Sequence, residues 1–158
     1  MDTTRRNLLR SAVGVASAGS IAGCASNGTG TTTPTETPDY LYALTGSYTL
    51  QSGEFRDLPL DIDSPAVIDY IADVRSGPNI DVLVLARGEF REFERGNAFE
   101  TIESASALDT SYGDVRADLG PTDVNVVFDN TDAGSVSPHE SDGTVELNFE
   151  LTVSQRET

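Results

Sequence analysis

Val145-Glu146-Leu147-Asn148-Phe149-Glu150-Leu151-Thr152-Val153 alternates apolar and polar residues without a break. Successive side chains on a β-strand point to opposite faces. Val145, Leu147, Phe149, Leu151 and Val153 therefore share one face, and Glu146, Asn148, Glu150 and Thr152 the other. A helix would spread the same five apolar residues around its circumference. The stretch predicts a strand with one buried and one wetted face, as in antiparallel sheets.

The same period recurs upstream. Ile68, Tyr70, Ala72 and Val74 oppose Asp69 and Asp73, while Val124, Val126 and Phe128 oppose Asp123 and Asn125. Ile80 to Ala86 is apolar on both faces apart from Asp81, which predicts an interior strand. Leu58, Leu60 and Ile62 make a weaker strand, and Pro59, which has no amide hydrogen to donate, places it at a sheet edge. Less regular strands are expected near residues 42–50, 99–108 and 115–119. Between them stand turn clusters: Ser76-Gly77-Pro78-Asn79, Gly120-Pro121-Thr122, Asp129-Asn130-Thr131-Asp132-Ala133-Gly134 and Ser141-Asp142-Gly143. Seven or eight short strands so punctuated within residues 39–158 predict an all-β domain, a single antiparallel β-sandwich or jelly-roll. One short helical turn is expected in Gly88-Glu89-Phe90-Arg91-Glu92-Phe93-Glu94-Arg95-Gly96. There Phe90 and Phe93, three apart, would share a face as a lid over the open end of the sandwich or as an exposed aromatic contact.

The first 38 residues read differently. Thr4-Arg5-Arg6-Asn7-Leu8-Leu9-Arg10 carries three arginines against one acid, Asp2. The mildly apolar run Ser11 to Ile21 follows, much shorter than the ~20 residues a spanning helix needs. It leads into Ile21-Ala22-Gly23-Cys24. Residues 1–23 are read as a twin-arginine export signal built on Arg5 and Arg6, with cleavage before Cys24 and lipidation of its thiol. Cys24 is the sole cysteine of the chain, so no intramolecular disulfide exists to stabilise the domain. A two-chain lipid on Cys24 would hold the protein on the membrane, since a single acyl chain binds only marginally. Residues 24–38 supply the lipidated Cys and a Thr-, Pro- and Gly-rich linker with little to bury. The expected location is the extracytoplasmic face of the cell membrane.

The chain carries 26 acidic residues, 10 arginines and no lysine, a formal net charge of −16. Without residues 1–23, 25 acids face seven arginines, a net charge of −18. Such a surface suits molar salt, where the Debye length falls to ~3 Å and self-repulsion is screened. With no basic patch, nucleic acid is not an expected partner.

Residues that carry chemistry are sparse. His139, the sole histidine, sits in a loop-like Ser137-Pro138-His139-Glu140-Ser141 and reads as a surface residue. One histidine and no cysteine in the domain cannot build a zinc or blue-copper site. No Gly-x-Ser-x-Gly elbow accompanies a serine. Asp129, Asp132, Glu140 and Asp142 would converge if loop 129–143 folds back, offering oxygen ligands to Ca²⁺, although the spacing is not that of an EF-hand loop. Asp61 and Asp63 lie on one side of the edge strand, where charge discourages edge pairing. As a carboxylate pair they also have the residue types of a glycosidase site, without tryptophan to grip a sugar.

Through the run from Thr4 to Arg10, the Ile21–Cys24 box and the Thr/Pro linker, the start resembles haloarchaeal twin-arginine lipoproteins. From Tyr48 onward the domain is similar to extracellular β-sandwich modules related to Golgi-dynamics (GOLD) and pre-peptidase C-terminal domains. Val124-Asn125-Val126-Val127-Phe128-Asp129-Asn130-Thr131 resembles their late strand, and Asp81-Val82-Leu83-Val84-Leu85 their central one. The chain departs from that pattern at Val124 and Asn125, where tyrosine is usual. The resemblance implies a non-catalytic interaction or accessory module in the cell envelope, without a cofactor other than the lipid and with an envelope protein as partner. A small-ligand or Ca²⁺-binding lipoprotein is the alternative.

With this charge and no disulfide, residues 39–158 are expected to lose their β-sheet circular dichroism as NaCl is lowered well below about 1 M. Retention of the full signal in dilute buffer would remove the halophilic reading.

Overall fold

The structure, a computed structural model, describes residues 39–133 and 143–156. Arg5, Arg6, Cys24, the linker, His139, Glu140 and Asp142 therefore lie outside the described residues. Eight strands form: β1 (Tyr40–Leu50), β2 (Glu54–Leu60), β3 (Ala66–Ser76), β4 (Ile80–Ala86), β5 (Ala107–Thr110), β6 (Tyr112–Leu119), β7 (Val124–Asn130) and β8 (Val145–Gln155). An α-helix, α1 (Arg87–Glu94), and a 3-10 turn at Glu103–Ala105 lie between β4 and β5.

The strands make two four-stranded antiparallel sheets, ordered β1-β8-β3-β6 and β2-β7-β4-β5. The logic is nested. β1 pairs with β8, β2 with β7, β3 with β6 and β4 with β5, as if the chain were doubled into one long hairpin. Rolling that hairpin adds the β3–β8 and β4–β7 pairs. This is the jelly-roll form of the expected sandwich.

The expected alternation in β8 holds throughout: Val145, Leu147, Phe149, Leu151 and Val153 are buried, and Glu146, Asn148 and Glu150 are exposed. Across from them, Val82, Val84, Val124, Val126 and Phe128 of the second sheet complete the core. Tyr48 stacks on Phe149 at 5.1 Å between ring centroids, and Phe128 stands 5.1 Å from Phe149. Each fully buried Leu, Ile, Val or Phe contributes about 1.5–3 kcal/mol of hydrophobic stabilisation. Gly46 of β1 lies beneath the Phe149 ring; a Cβ there would come within 2.8 Å of it, so the ring occupies the place of a side chain.

β4 is interior, as its two apolar faces require. Its second face is covered by α1. Phe90 and Phe93 lie on Leu83, Leu85 and Val127 together with Phe99, forming a smaller core on the outer side of the second sheet. Phe55 meets Phe93 edge-on at 5.0 Å. The aromatic pair therefore caps a sheet face instead of the open end of the sandwich, and the single expected turn is an eight-residue helix. The sheet needs that cover because Leu83, Leu85 and Val127 would otherwise face water.

Several boundaries differ from the sequence pattern, and β7 runs through Asp129 and Asn130, which were expected in a turn. β2 ends at Leu60, and Ile62 enters the core from the following segment. Much of residues 99–108 is not strand: Phe99 packs beneath α1 and the 3-10 turn follows, leaving only four residues to β5. Here Ser106 substitutes for backbone pairing, its hydroxyl accepting from the Val84 amide and donating to the Ile102 carbonyl. β6 starts three residues before Val115, at Tyr112.

Tyr70 of β3 reaches across the core and donates to the Ala105 carbonyl at 3.0 Å. Burial pushes its phenol pKa well above the ordinary value. A folded-state pKa above the unfolded one contributes stability that is complete below pH ~10 and is lost as pH rises beyond it. The denaturant midpoint is thus expected to fall above about pH 10, and to fall less steeply in Tyr70→Phe. At neutral pH Tyr70→Phe is expected to cost about 0.5–1.5 kcal/mol for the lost hydrogen bond, measured by urea titration.

Candidate functional site

The richest cluster of buried polar groups lies at one end of the second sheet. β7 ends Asp129-Asn130, and both side chains are buried. They point to opposite faces, as neighbours on a strand must. Asn130 turns inward and its Nδ2 donates to the carbonyls of Leu50 (3.3 Å), Gln51 (3.0 Å) and Gly143 (3.0 Å). Its own carbonyl accepts from the Gly53 amide at 2.8 Å. One side chain thus ties the β1–β2 turn to the end of β7 and the entry to β8. Asn130 is a structural clamp.

Asp129 turns to the other face. Its Oδ1 accepts from the Thr131 amide at 2.9 Å, and Thr131 Oγ1 accepts from Ala133 at 2.9 Å, so two side-chain turns in series lead the chain off the strand. Directly opposite on β4 is Asp81. Asp81 and Asp129 are 2% and 1% exposed. Like charges directly opposite in a sheet destabilise it, and a buried carboxylate needs compensating partners. Asp81 Oδ1 accepts from the Asp109 amide at 2.7 Å. Asp109 holds the left-handed backbone conformation at φ 47°, tolerable for aspartate. Asn79 Nδ2 fixes it by donating to its carbonyl and Oδ1, both at 3.1 Å. β5, β4 and β7 thus each bring one aspartate to the same end of the sheet.

Of the four carboxylates expected to gather around the loop, the described residues show two, and they differ. Asp129 is buried in the strand, whereas Asp132 is exposed on the turn. Asp81 is the member that sequence reading left out. The available signal was its position as the single acid in a strand apolar on both faces. Among the described residues no three acidic, histidine or cysteine side chains are arranged to hold a metal ion.

Asp61 and Asp63 do not lie on the edge strand as expected, because β2 ends at Leu60 and both follow it. Asp61 forms an ion pair with Arg87 at the start of α1, and Arg87 also reaches Asp123 at 3.2 Å. The Tyr42 hydroxyl accepts from the Asp61 amide at 3.0 Å. The hydrogen bond to Asp61 raises the Arg87 guanidinium further above its ordinary range. This network pins the helix to both neighbouring turns.

On the far side of the sandwich, Ile71, Asp73, Tyr112, Asn148, Phe149 and Glu150 line a shallow depression of 190 Å³ on the outer face of β1-β8-β3-β6. Sites for small molecules typically enclose ~300–1,000 Å³. No helix among the described residues is long and apolar enough to cross a membrane. Compared with models of known protein families and with curated proteins, the chain matches none.

Proposed function

We propose that the chain is a membrane-anchored extracytoplasmic lipoprotein whose jelly-roll acts through its surface, as a non-catalytic interaction or accessory module of the cell envelope. One structural observation carries the reading. The space between the sheets is filled with apolar side chains such as Leu60, Ile68, Tyr70, Val84, Phe128 and Leu151, each no more than 2% exposed. The outer face of the second sheet carries α1. A sandwich so filled offers surfaces and edges for recognition, whereas ligand-holding barrels enclose a cavity. The address rests on Arg5, Arg6 and Cys24, with residues 24–38 as the tether.

Expressed in a halophilic host, the wild-type chain is expected in the membrane fraction and extractable by detergent. Cys24→Ala is expected to release it into the medium, and Arg5→Lys with Arg6→Lys to retain it in the cytoplasm. In-cell crosslinking in molar salt is expected to recover one recurrent envelope protein. A Cys24→Ala chain that stays on the membrane overturns the anchor. Turnover abolished by Asp81→Asn or Asp129→Asn overturns the non-catalytic reading.

The register pair Asp81–Asp129, followed in the chain by Asp132, favours a second reading in which Ca²⁺ joins the two opposed carboxylates. Calcium at about a hundredfold above its dissociation constant would add about 2.7 kcal/mol to stability. The expected signature is a thermal midpoint that rises with CaCl₂ at fixed ionic strength in the wild type and not in Asp129→Asn. An equal response to MgCl₂ and CaCl₂ in both chains would reduce it to charge screening.

A further inference from the structure

The sandwich has four edge strands, β1 and β6 in one sheet and β2 and β5 in the other. An edge exposes a row of backbone donors and acceptors, and proteins blunt such rows with charge, proline or brevity. Three of these edges are blunted. β2 carries Glu54, Arg56, Asp57 and Pro59. β6 carries Asp114, Arg116 and Asp118, and β5 is four residues long with Asp109 in the left-handed conformation.

β1 carries neither charge nor proline nor brevity, and its one irregularity is a register shift at Tyr40–Tyr42, at its N-terminal end. It runs eleven residues and, among the described residues, pairs on one side only, with β8. From Tyr40 to Gly53 there is no charged residue and no proline, in a chain with 26 acids. Its outward row, Leu41, Ala43, Thr45, Ser47 and Thr49, is small or apolar and exposed. Its inward side chains Tyr42, Leu44 and Tyr48 pack against the core.

We infer that β1 is the dimerisation edge of this protein, and that its occupant is the β1 strand of a second copy, added antiparallel to join two four-stranded sheets into one of eight. Three observations select a second copy. An antiparallel strand edge is self-complementary about a two-fold axis. Centring the axis on Thr45, within the regular part of the strand, sets Thr45 against its equivalent and Ala43 against Ser47. Charge agrees as well. Two molecules of net charge −16 meet with least repulsion along their one uncharged edge. On the neighbouring β8, Glu150, paired with Thr45, would face its equivalent across three inter-strand spacings, about 14 Å, and Glu146 lies farther still along the strand from its own, both well beyond the ~3 Å screening length of molar salt.

The chain ahead of the strand permits it too. An eleven-residue strand is about 36 Å long, so antiparallel pairing separates the two Tyr40 ends by about that distance. The residues from Cys24 to Tyr40 span up to about 50 Å extended. Both copies reach one membrane if Cys24 bears the anchor. The dimer itself does not require that anchor, nor the accessory reading.

The test uses the full chain carrying Cys24→Ser, in molar NaCl, by sedimentation velocity at micromolar concentrations. A dimer is expected. Adding Thr45→Cys should give a rapid covalent dimer on oxidation, whereas Asp114→Cys on the β6 edge should crosslink at least about tenfold more slowly. Thr45→Glu with Thr49→Glu, both outward-facing, should weaken the dimer about tenfold or more without moving the thermal midpoint. A monomer throughout the concentration range overturns the inference. So does a dimer that crosslinks equally through Asp114→Cys or that persists in the double glutamate variant. If the glutamate variant does not fold, the crosslinking comparison decides.

Discussion

The pairing of β8 with β1 on one flank and β3 on the other is the interaction on which the rest of the molecule depends. β8 presents five core residues to the opposite sheet, and both of its edges are hydrogen-bonded along their length. Without it, among the described residues, β1 has no strand partner and β3 keeps only β6. The pairing joins residues about a hundred positions apart in the chain, and such loops cost conformational entropy before any contact repays it. A nested jelly-roll accepts that cost once. Every inner pair closes a shorter loop, β4 with β5 the shortest.

The second sheet answers a different requirement. It has apolar side chains on both faces of β4 and β7, so one face needs a cover beyond the sandwich itself. A helix of eight residues and Phe99 supply it, and Arg87, held by Asp61 and Asp123, fixes where that helix begins. At the end of the sheet, next to the turn that leaves β7, the outward positions are Asp81 and Asp129 in place of leucine and valine, and both are buried.

The parts of this architecture that rest on period-two alternation were legible from the residues. β8, β3, β7 and the edge placement of β2 follow from which side chains share a face. The position of α1 was not, because Phe90 and Phe93 at helical spacing reveal one apolar stripe without saying what it covers. Leu83, Leu85 and Val127, the surface they cover, are scattered across two strands far apart in sequence. Asp81 shows the same limit. In sequence it is an acid in an apolar run, and only the register of β4 against β7 sets it opposite Asp129. Residues 99–108 were misread for another reason: Ser106 supplies through its side chain the hydrogen bonds that a strand supplies through its backbone.

The nested order also sets a timetable for biosynthesis. Many domains begin to fold from the N-terminal end while the ribosome is still at work, but here the first strand made waits for the last. Among the described residues, β1 has no strand neighbour until residues 145–155 have emerged, and β2 none until β7 has. The nascent chain can close β4 on β5 and β3 on β6 beforehand, leaving a half-roll with two long, sticky edges. Any step that needs the finished sandwich must wait until β8 is in place.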